Sequence, residues 1–414
     1  KLGLHIVGTS IDTLLDNFTT LERALEIARN NDAARRAGKN YTPVYLQHQF
    51  NGGTNLVQSE VLGGSVRAPR NFLELIGRYA VLNYEITLAR RPYFEETSAQ
   101  SVGSGSAGND GTGLSLSAAR GDMPAPLYVK CRSSLASQDR LIAGVKWRGT
   151  VANFVSTYEA ESYAVRGSNV ADVTVGATFS GSSVDGQRWT PSGATNEQRL
   201  LLWRNTTNPT DQQGEYAVWV RCRDNKANPK VRLRFRSGVY DGSNDTWGPY
   251  GDNPKYCLTA NSTIELVFCG TIQIPAIDTG GTVPNGYSFE LRGACDSSPS
   301  TFDVDCVYLI PNDGAGDNAG AGVATMTKVA GTGALPDLVL DANDRVPKGY
   351  LETTGGAVLS PAADVAGSPL FVPPNQAAKL FVLTMASATG AHDFTGTNTL
   401  TANATPRYRW GRGT

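Results

Sequence analysis

The stretch Lys230-Val231-Arg232-Leu233-Arg234-Phe235-Arg236 decides the fold class. Val231, Leu233 and Phe235 share one side of an extended chain and the four basic residues share the other, which is the period-two alternation of a strand with one buried and one wet face. Comparable runs recur on both sides of it: PLYVKCR (126–132), AVWVRCR (217–223), TIELVFCGTIQIP (263–275), YSFELRG (287–293) and FDVDCVYLIP (302–311). Clusters of Gly, Asn, Asp and Pro separate them, and no helical pattern intervenes. Such strands, joined without helices, predict an antiparallel β-sandwich of jelly-roll type over residues 123–312. The basic side of 230–236 is read as a solvated face balanced by acidic residues on neighbouring strands, with contact to an anion as the alternative.

Toward the N-terminus, LNYEITLARRPYFEE (82–96) is a structural strand. Leu82, Tyr84, Ile86 and Leu88 alternate with Asn83, Glu85 and Thr87, and Arg91-Pro92 stops the ladder. Upstream, Thr19 and Glu22 form a capping box ahead of Leu21, Ala24, Leu25 and Ala28, which predicts a helix over about 20–37 ending at Gly38. Val44, Leu46, His48 and Phe50 share a strand face, and Asn51-Gly52-Gly53 turns that strand into a partner at 55–62. Residues 1–97 hold too few strands to bury their own apolar faces. Residues 98–122 contain almost no large apolar side chain, so they read as a Gly/Ser-rich linker or mobile loop. A second Gly/Ala-rich tract at 312–322 precedes a C-terminal β segment, 313–414. There AAKLFVLTM (377–385) is apolar on both faces and belongs in the centre of a sheet. That segment is expected either to complete the N-terminal unit or to stand alone.

With 40 % hydrophobic and 18 % charged residues, 45 glycines and 21 prolines among 414, the chain is globular and turn-rich. A formal net charge of -1 disfavours direct nucleic-acid binding. No apolar run approaches the roughly 20 residues of a membrane span. The six cysteines show no CxxC spacing and several sit inside strand patterns, so buried thiols are expected ahead of disulfides, and zinc is not.

Catalytic signals are absent at the level of motifs. His5, His48 and His392 lie in no motif with cysteine or carboxylate partners, His392-Asp393 being a lone dipeptide, and there is no GxSxG, phosphate-binding loop or HExxH, so no enzyme activity or cofactor is expected, and no histidine metal site. One loop, YDGSNDTWGPYGDNP (240–254), has the composition of a saccharide site. Trp247 and Tyr250 would supply an aromatic platform, and Asp241, Asn244, Asp245 and Asp252 the hydrogen-bonding groups. Covering of a sandwich edge is the bland reading of the same aromatics, and calcium held by the loop carboxylates is a third.

The order YTPVYLQHQF, LNYEITLARRPYFEE, a glycine-serine tract, GDMPAPLYVKCR, a β-rich module ending FDVDCVYLIPND, and a close in GSPLFVPP and TPRYRWG resembles the distal and minor tail proteins of long-tailed bacteriophages with non-contractile tails. The resemblance implies a mainly β chain: a ring-forming (belt) β-sandwich domain with one helix and a hairpin, carrying a jelly-roll or galectin-like module. It implies a homo-oligomeric, typically hexameric ring that joins the tail tube protein to the tip hub protein, located in the virion tail tip and assembled in the host cytoplasm. The exposed side of the capped helix, Glu22, Glu26, Arg29 and Arg36, is the candidate ring contact. A jelly-roll adhesin that recognises a host surface glycan is the rival reading, and a secreted glycoside hydrolase a distant third.

Overall fold

The computed structural model describes residues 2–7, 10–37, 41–49, 56–67, 81–134, 138–147, 151–174, 185–191, 195–207, 209–225, 231–250, 255–256, 263–277, 286–295, 301–312, 319–325, 337–342, 348–353, 355–360, 364–367, 369–386 and 389–409. The chain is mainly β, with one long helix among the described residues. It divides into two compact units: residues 1–99, 121–123 and 405–414 form the first, and 100–120 with 124–404 the second.

In the first unit, strands Leu2–Val7, Val81–Arg90, Leu56–Arg67, Phe94–Glu96 and Arg407–Tyr408 lie side by side in that order, with Tyr45–Gln49 also paired to Leu56–Arg67. Val81–Arg90 is a structural strand, as its alternation indicates. Helix α1 runs Ile11–Arg36, nine residues earlier than its capping box implied. Ser10 is the true cap, its Oγ accepting the Thr13 amide at 3.2 Å. The Thr19 hydroxyl instead donates to the Leu15 carbonyl inside the helix. The missed first turns carry Leu14 and Phe18, which extend the stripe of Leu21, Leu25 and Ala28 at spacings of three and four. This stripe packs on Leu56–Arg67, where Leu25, Ala28 and Val61 are the buried centre. The C-terminal strand contributes Tyr408, buried, whose hydroxyl donates to Glu96, while Arg407 pairs with Glu95 at 2.7 Å.

The second unit holds two sandwiches. In the first, strands Val170–Thr174, Asp185–Trp189, Phe302–Pro311, Gly214–Asp224 and Glu265–Ile274 form one sheet. Val165–Arg166, Thr195–Asn205, Gly286–Cys295, Val231–Tyr240 and Asp245–Tyr250 form the other. Between them lie Trp203, Phe235, Phe289, Val218, Val220 and Val304. In the second sandwich, Lys348–Glu352, Asp337–Asp341, Ala125–Ser133, Thr397–Ala404 and Gln100–Gly108 face Ala319–Thr325, Arg140–Lys146, Ala378–Met385 and Leu114–Leu116. Ala378–Met385 is central in its sheet, as its two apolar faces require.

Three expected boundaries therefore move. Gln100–Gly108, inside the expected linker, is a strand paired along Thr397–Ala404. Its poverty in large side chains reflects crowding: a Cβ on Gly103 would stand 2.8 Å from the Leu116 side chain, which fills that space. Ala125–Ser133 and Arg140–Lys146, expected in the 123–312 module, belong to the second sandwich. Of the 313–414 segment, the end at Arg407–Tyr408 joins the N-terminal sheet, while its described strands from Ala319–Thr325 to Thr397–Ala404 build the second sandwich with Gln100–Gly108, Leu114–Leu116, Ala125–Ser133 and Arg140–Lys146. Cys131, Cys222, Cys269, Cys295 and Cys306 are buried free thiols, and Cys257 lies outside the described residues.

A polar seam runs between the two sandwiches. Arg221 and Asp305 form a buried ion pair, and Arg221 Nε donates to His392 Nδ1 at 3.0 Å. Lys146, fully buried, donates to the Gln213 carbonyl and the Tyr216 hydroxyl, each at 3.0 Å. Burial, reinforced by the Arg221 charge, holds His392 well below the usual imidazole value, so it stays neutral. Below about pH 6.5 the unfolded chain binds a proton that the folded chain refuses, so stability is fully present above that pH and falls as pH decreases, by about 1.4 kcal/mol per pH unit from this group. Urea unfolding at pH 7.5 and 5.5 measures this slope, and His392→Gln should flatten it.

Candidate functional site: the arginine face of the first sandwich

The alternation of Val231–Tyr240 sends Val231, Leu233 and Phe235 into the sandwich and Arg232, Arg234 and Arg236 to the outside. Gly286–Cys295 repeats the pattern, with Phe289 and Leu291 inside and Ser288, Glu290 and Arg292 outside. The register sets Arg199, Arg292 and Arg234 directly opposite one another across three strands. Like charges in that arrangement repel, and carboxylates in the neighbouring positions offset them. Glu290, with no exposed surface, accepts from Arg199 Nε at 2.7 Å, from Arg292 Nη1 at 3.3 Å and from Arg236 Nε. Glu197 takes Arg292 Nε at 3.2 Å and Arg234 Nε at 3.4 Å. The basic stripe of 230–236 is thus a face balanced in part by acids on adjacent strands.

At the far edge, the candidate saccharide loop resolves into separate tasks. Asp241 Oδ1 accepts the amides of Ser243 (2.8 Å) and Asn244 (2.6 Å), closing the turn between two strands, and these bonds hold its carboxyl below the usual value. Asp245 turns to Arg204, 2.9 Å away, and to the Ser288 hydroxyl. Burial alone would raise the Asp245 carboxyl, but these two donors hold it low. Trp247 is half-buried: its ring lies over Gly238, where a Cβ would meet it at 2.8 Å, and the Arg236 guanidinium stacks 4.0 Å from its centre. The indole is therefore already engaged with the sheet. Tyr250 has its backbone opposite Arg236, while its side chain and Asp252 lie outside the described residues.

Between the edge strand Val165–Arg166 and its neighbour lies an open cavity of about 310 Å³, lined by Arg166, Gly167, Ser168, Gln198, Arg199, Glu290 and Arg292. No sequence motif announces it, because its residues come from three separated strands. The outward Ser288, Glu290 and Arg292 of YSFELRG were the legible signal. On α1, Glu22, Glu26 and Arg29 are exposed in line with Leu15, and the Arg29 stem crosses Gly63; the Arg36 side chain is outside the described residues. Among the described residues, Glu159, Asp305 and Cys306 bring ligand atoms within 4.8 Å of one another in the seam, but Asp305 is committed to Arg221 and burial pushes the Cys306 thiol up.

No known protein family matches the chain, and no curated protein sequence does. Among solved structures, it is similar to the N-terminal CBM22-1-CBM22-2 tandem domain from Paenibacillus barcinonensis Xyn10C, at 9 % identity over 63 % of this chain and 98 % of that one, with a TM-score of 0.26. A protein from Parabacteroides distasonis aligns at 8 % identity over 66 % of this chain and 99 % of its own, with a TM-score of 0.15. Overlaps this low assign the chain no ligand and no activity.

Proposed function

We propose that the chain is a structural component of a long-tailed phage virion, assembling through its first unit into a ring that joins tail tube to tip hub and carries the paired sandwiches of the second unit. The reading takes its family from the resemblance of segment order, and one observation supports it physically. Of the six large apolar side chains exposed among the described residues, four lie in the smaller first unit: Leu15, Ile27, Tyr45 and Leu56. Ile27 is 50 % exposed, on the side of the helix turned away from Leu25 and Ala28. The buried centre beneath that helix comprises Leu25, Ala28 and Val61. Exposed apolar surface on a helix whose other side is already packed is what a subunit completed by its neighbours presents. The role needs no catalytic group, cofactor or membrane span, and no helix among the described residues is long and apolar enough to cross a membrane.

The expected result is a closed oligomer, by mass photometry and negative-stain microscopy of the intact chain. Ile27→Asp combined with Glu26→Lys should abolish it while leaving circular dichroism unchanged. A chain that stays monomeric at every concentration, or one whose assembly survives both changes, overturns the reading. A second reading, a β-sandwich adhesin for surface glycans, is favoured by the polar face just described: an open cavity and a half-buried tryptophan on one sheet.

A further inference from the structure

We propose that the cavity beside Arg199 binds an acidic sugar unit through its carboxylate or sulfate group, an inference that rests on the adhesin reading and gives it a ligand class and a site. Three features of the cavity carry it. The first is rigidity. Glu290 is fully buried and accepts from Arg199, Arg236 and Arg292, so a single carboxylate fixes three guanidinium groups on one face. Gly167 brings the edge strand against the bulge at Arg199–Leu201, its amide donating to the Leu200 carbonyl at 2.9 Å. A Cβ at that position would fall inside van der Waals contact with the Arg199 carbonyl, so only glycine lets Arg166 approach Arg199.

The second feature is unused donor capacity. Arg199 gives its Nε to Glu290, and Arg166 gives Nη1 to the exposed Asp172 at 3.3 Å. Each guanidinium has five N–H groups, and the rest of these two have no hydrogen-bond partner among the described residues. An oxyanion is what two forked donors with open N–H groups on one face fit.

The third feature is the lining, which selects the scaffold that carries the anion. Ser168 and Gln198 flank the arginines, and the buried Gln198 Nε2 has no hydrogen-bond partner among the described residues. Among the described residues, no aromatic or large aliphatic side chain lines the cavity. That suits hydroxyl groups and rejects a lipid tail or a stacked base. The volume of about 310 Å³ is at the small end of ligand cavities, the size of one or two sugar rings. Trp247 stands on the same face, three strand spacings across and four residues along from Arg199, roughly 20 Å in all, where the far end of an oligosaccharide would reach it.

The test is calorimetric titration of the intact chain with trigalacturonate, with a sulfated trisaccharide and with a neutral trisaccharide, at two salt concentrations. At least one acidic ligand should bind, more weakly at high salt, and the neutral one at least about tenfold more weakly. The two acidic arms identify which oxyanion is recognised. Arg199→Gln and Arg166→Gln should each weaken acidic binding by at least about tenfold. Arg166→Gln serves as the folding control, because its pair with Asp172 is exposed and worth little stability. Equal affinity for the acidic and neutral ligands, or unchanged affinity in both arginine variants, overturns the site. If that binding is then lost in Trp247→Ala, the adhesin reading stands without the arginine cavity. No binding to any of the three sugars overturns both, as does tighter binding to a DNA oligonucleotide.

Discussion

Replacing Asp305 with alanine is expected to destabilise the second unit by about 3–5 kcal/mol, the cost of removing one partner from a buried ion pair. Asp305 and Arg221 expose almost no side-chain surface. The Arg221 guanidinium also donates to His392, at Nδ1 (3.0 Å) and at the carbonyl (3.3 Å), and lies over the face of Phe394, 5.0 Å away. Alanine at 305 would take a carboxylate partner from a cation in a dry seam, and the sandwiches would have to part or admit water to solvate it. Urea unfolding of the intact chain measures the loss. The double replacement Arg221→Met with Asp305→Leu should recover most of it, because a buried pair exchanged for apolar groups is often close to neutral. A loss under about 1 kcal/mol for Asp305→Ala would show that the seam is wet and that the pair does not join the sandwiches.

That seam also marks where sequence reading stopped. Strand alternation is a local property, so the two-faced strands at 230–236, 287–293 and 302–311 were legible from their own residues. Pairing between strands is not local. Arg132 meets Asp337, and Asn109 hydrogen-bonds the carbonyls of Thr384 and Asp393, contacts that no neighbouring residue announces. The tract at 100–108 was misread for a related reason. Burial there is supplied by Leu116 and by the strand at 397–404, and composition registers what a segment brings, not what covers it. In α1 the capping signal that counts is Ser10, which precedes an apolar stripe that begins with Leu14. At the candidate site, loop aromatics drew attention to Trp247, which the structure lays against Gly238 and Arg236. The cavity residues are ordinary outward charges on their strands and become a group only when the register is known.

Phe289→Ala is expected to cost about 3–5 kcal/mol, the range for deleting a large aromatic from a core that cannot collapse around the gap. The ring is fully buried and central: Tyr158 lies 4.9 Å away, Phe235 is stacked at 6.2 Å, Tyr287 is at 6.5 Å, and Trp203 is its cross-strand partner. Both sheets of the first sandwich reach this cluster, so no single strand can move in to fill the space. Unfolding followed by tryptophan fluorescence reads the loss, and Phe289→Leu should recover roughly half of it because it keeps most of the buried volume. A loss under about 1 kcal/mol in the alanine variant would mean that the sheets close over the void. The consequence extends to the opposite face of the same strand. Glu290 is the next residue, pointing outward, and its position fixes Arg199, Arg236 and Arg292 together. A void beneath the strand gives that anchor freedom, and displacements of about 1 Å are enough to degrade a preorganised site. Acidic-sugar affinity should therefore fall in Phe289→Ala under conditions where the chain is still folded, although every residue lining the cavity is unchanged.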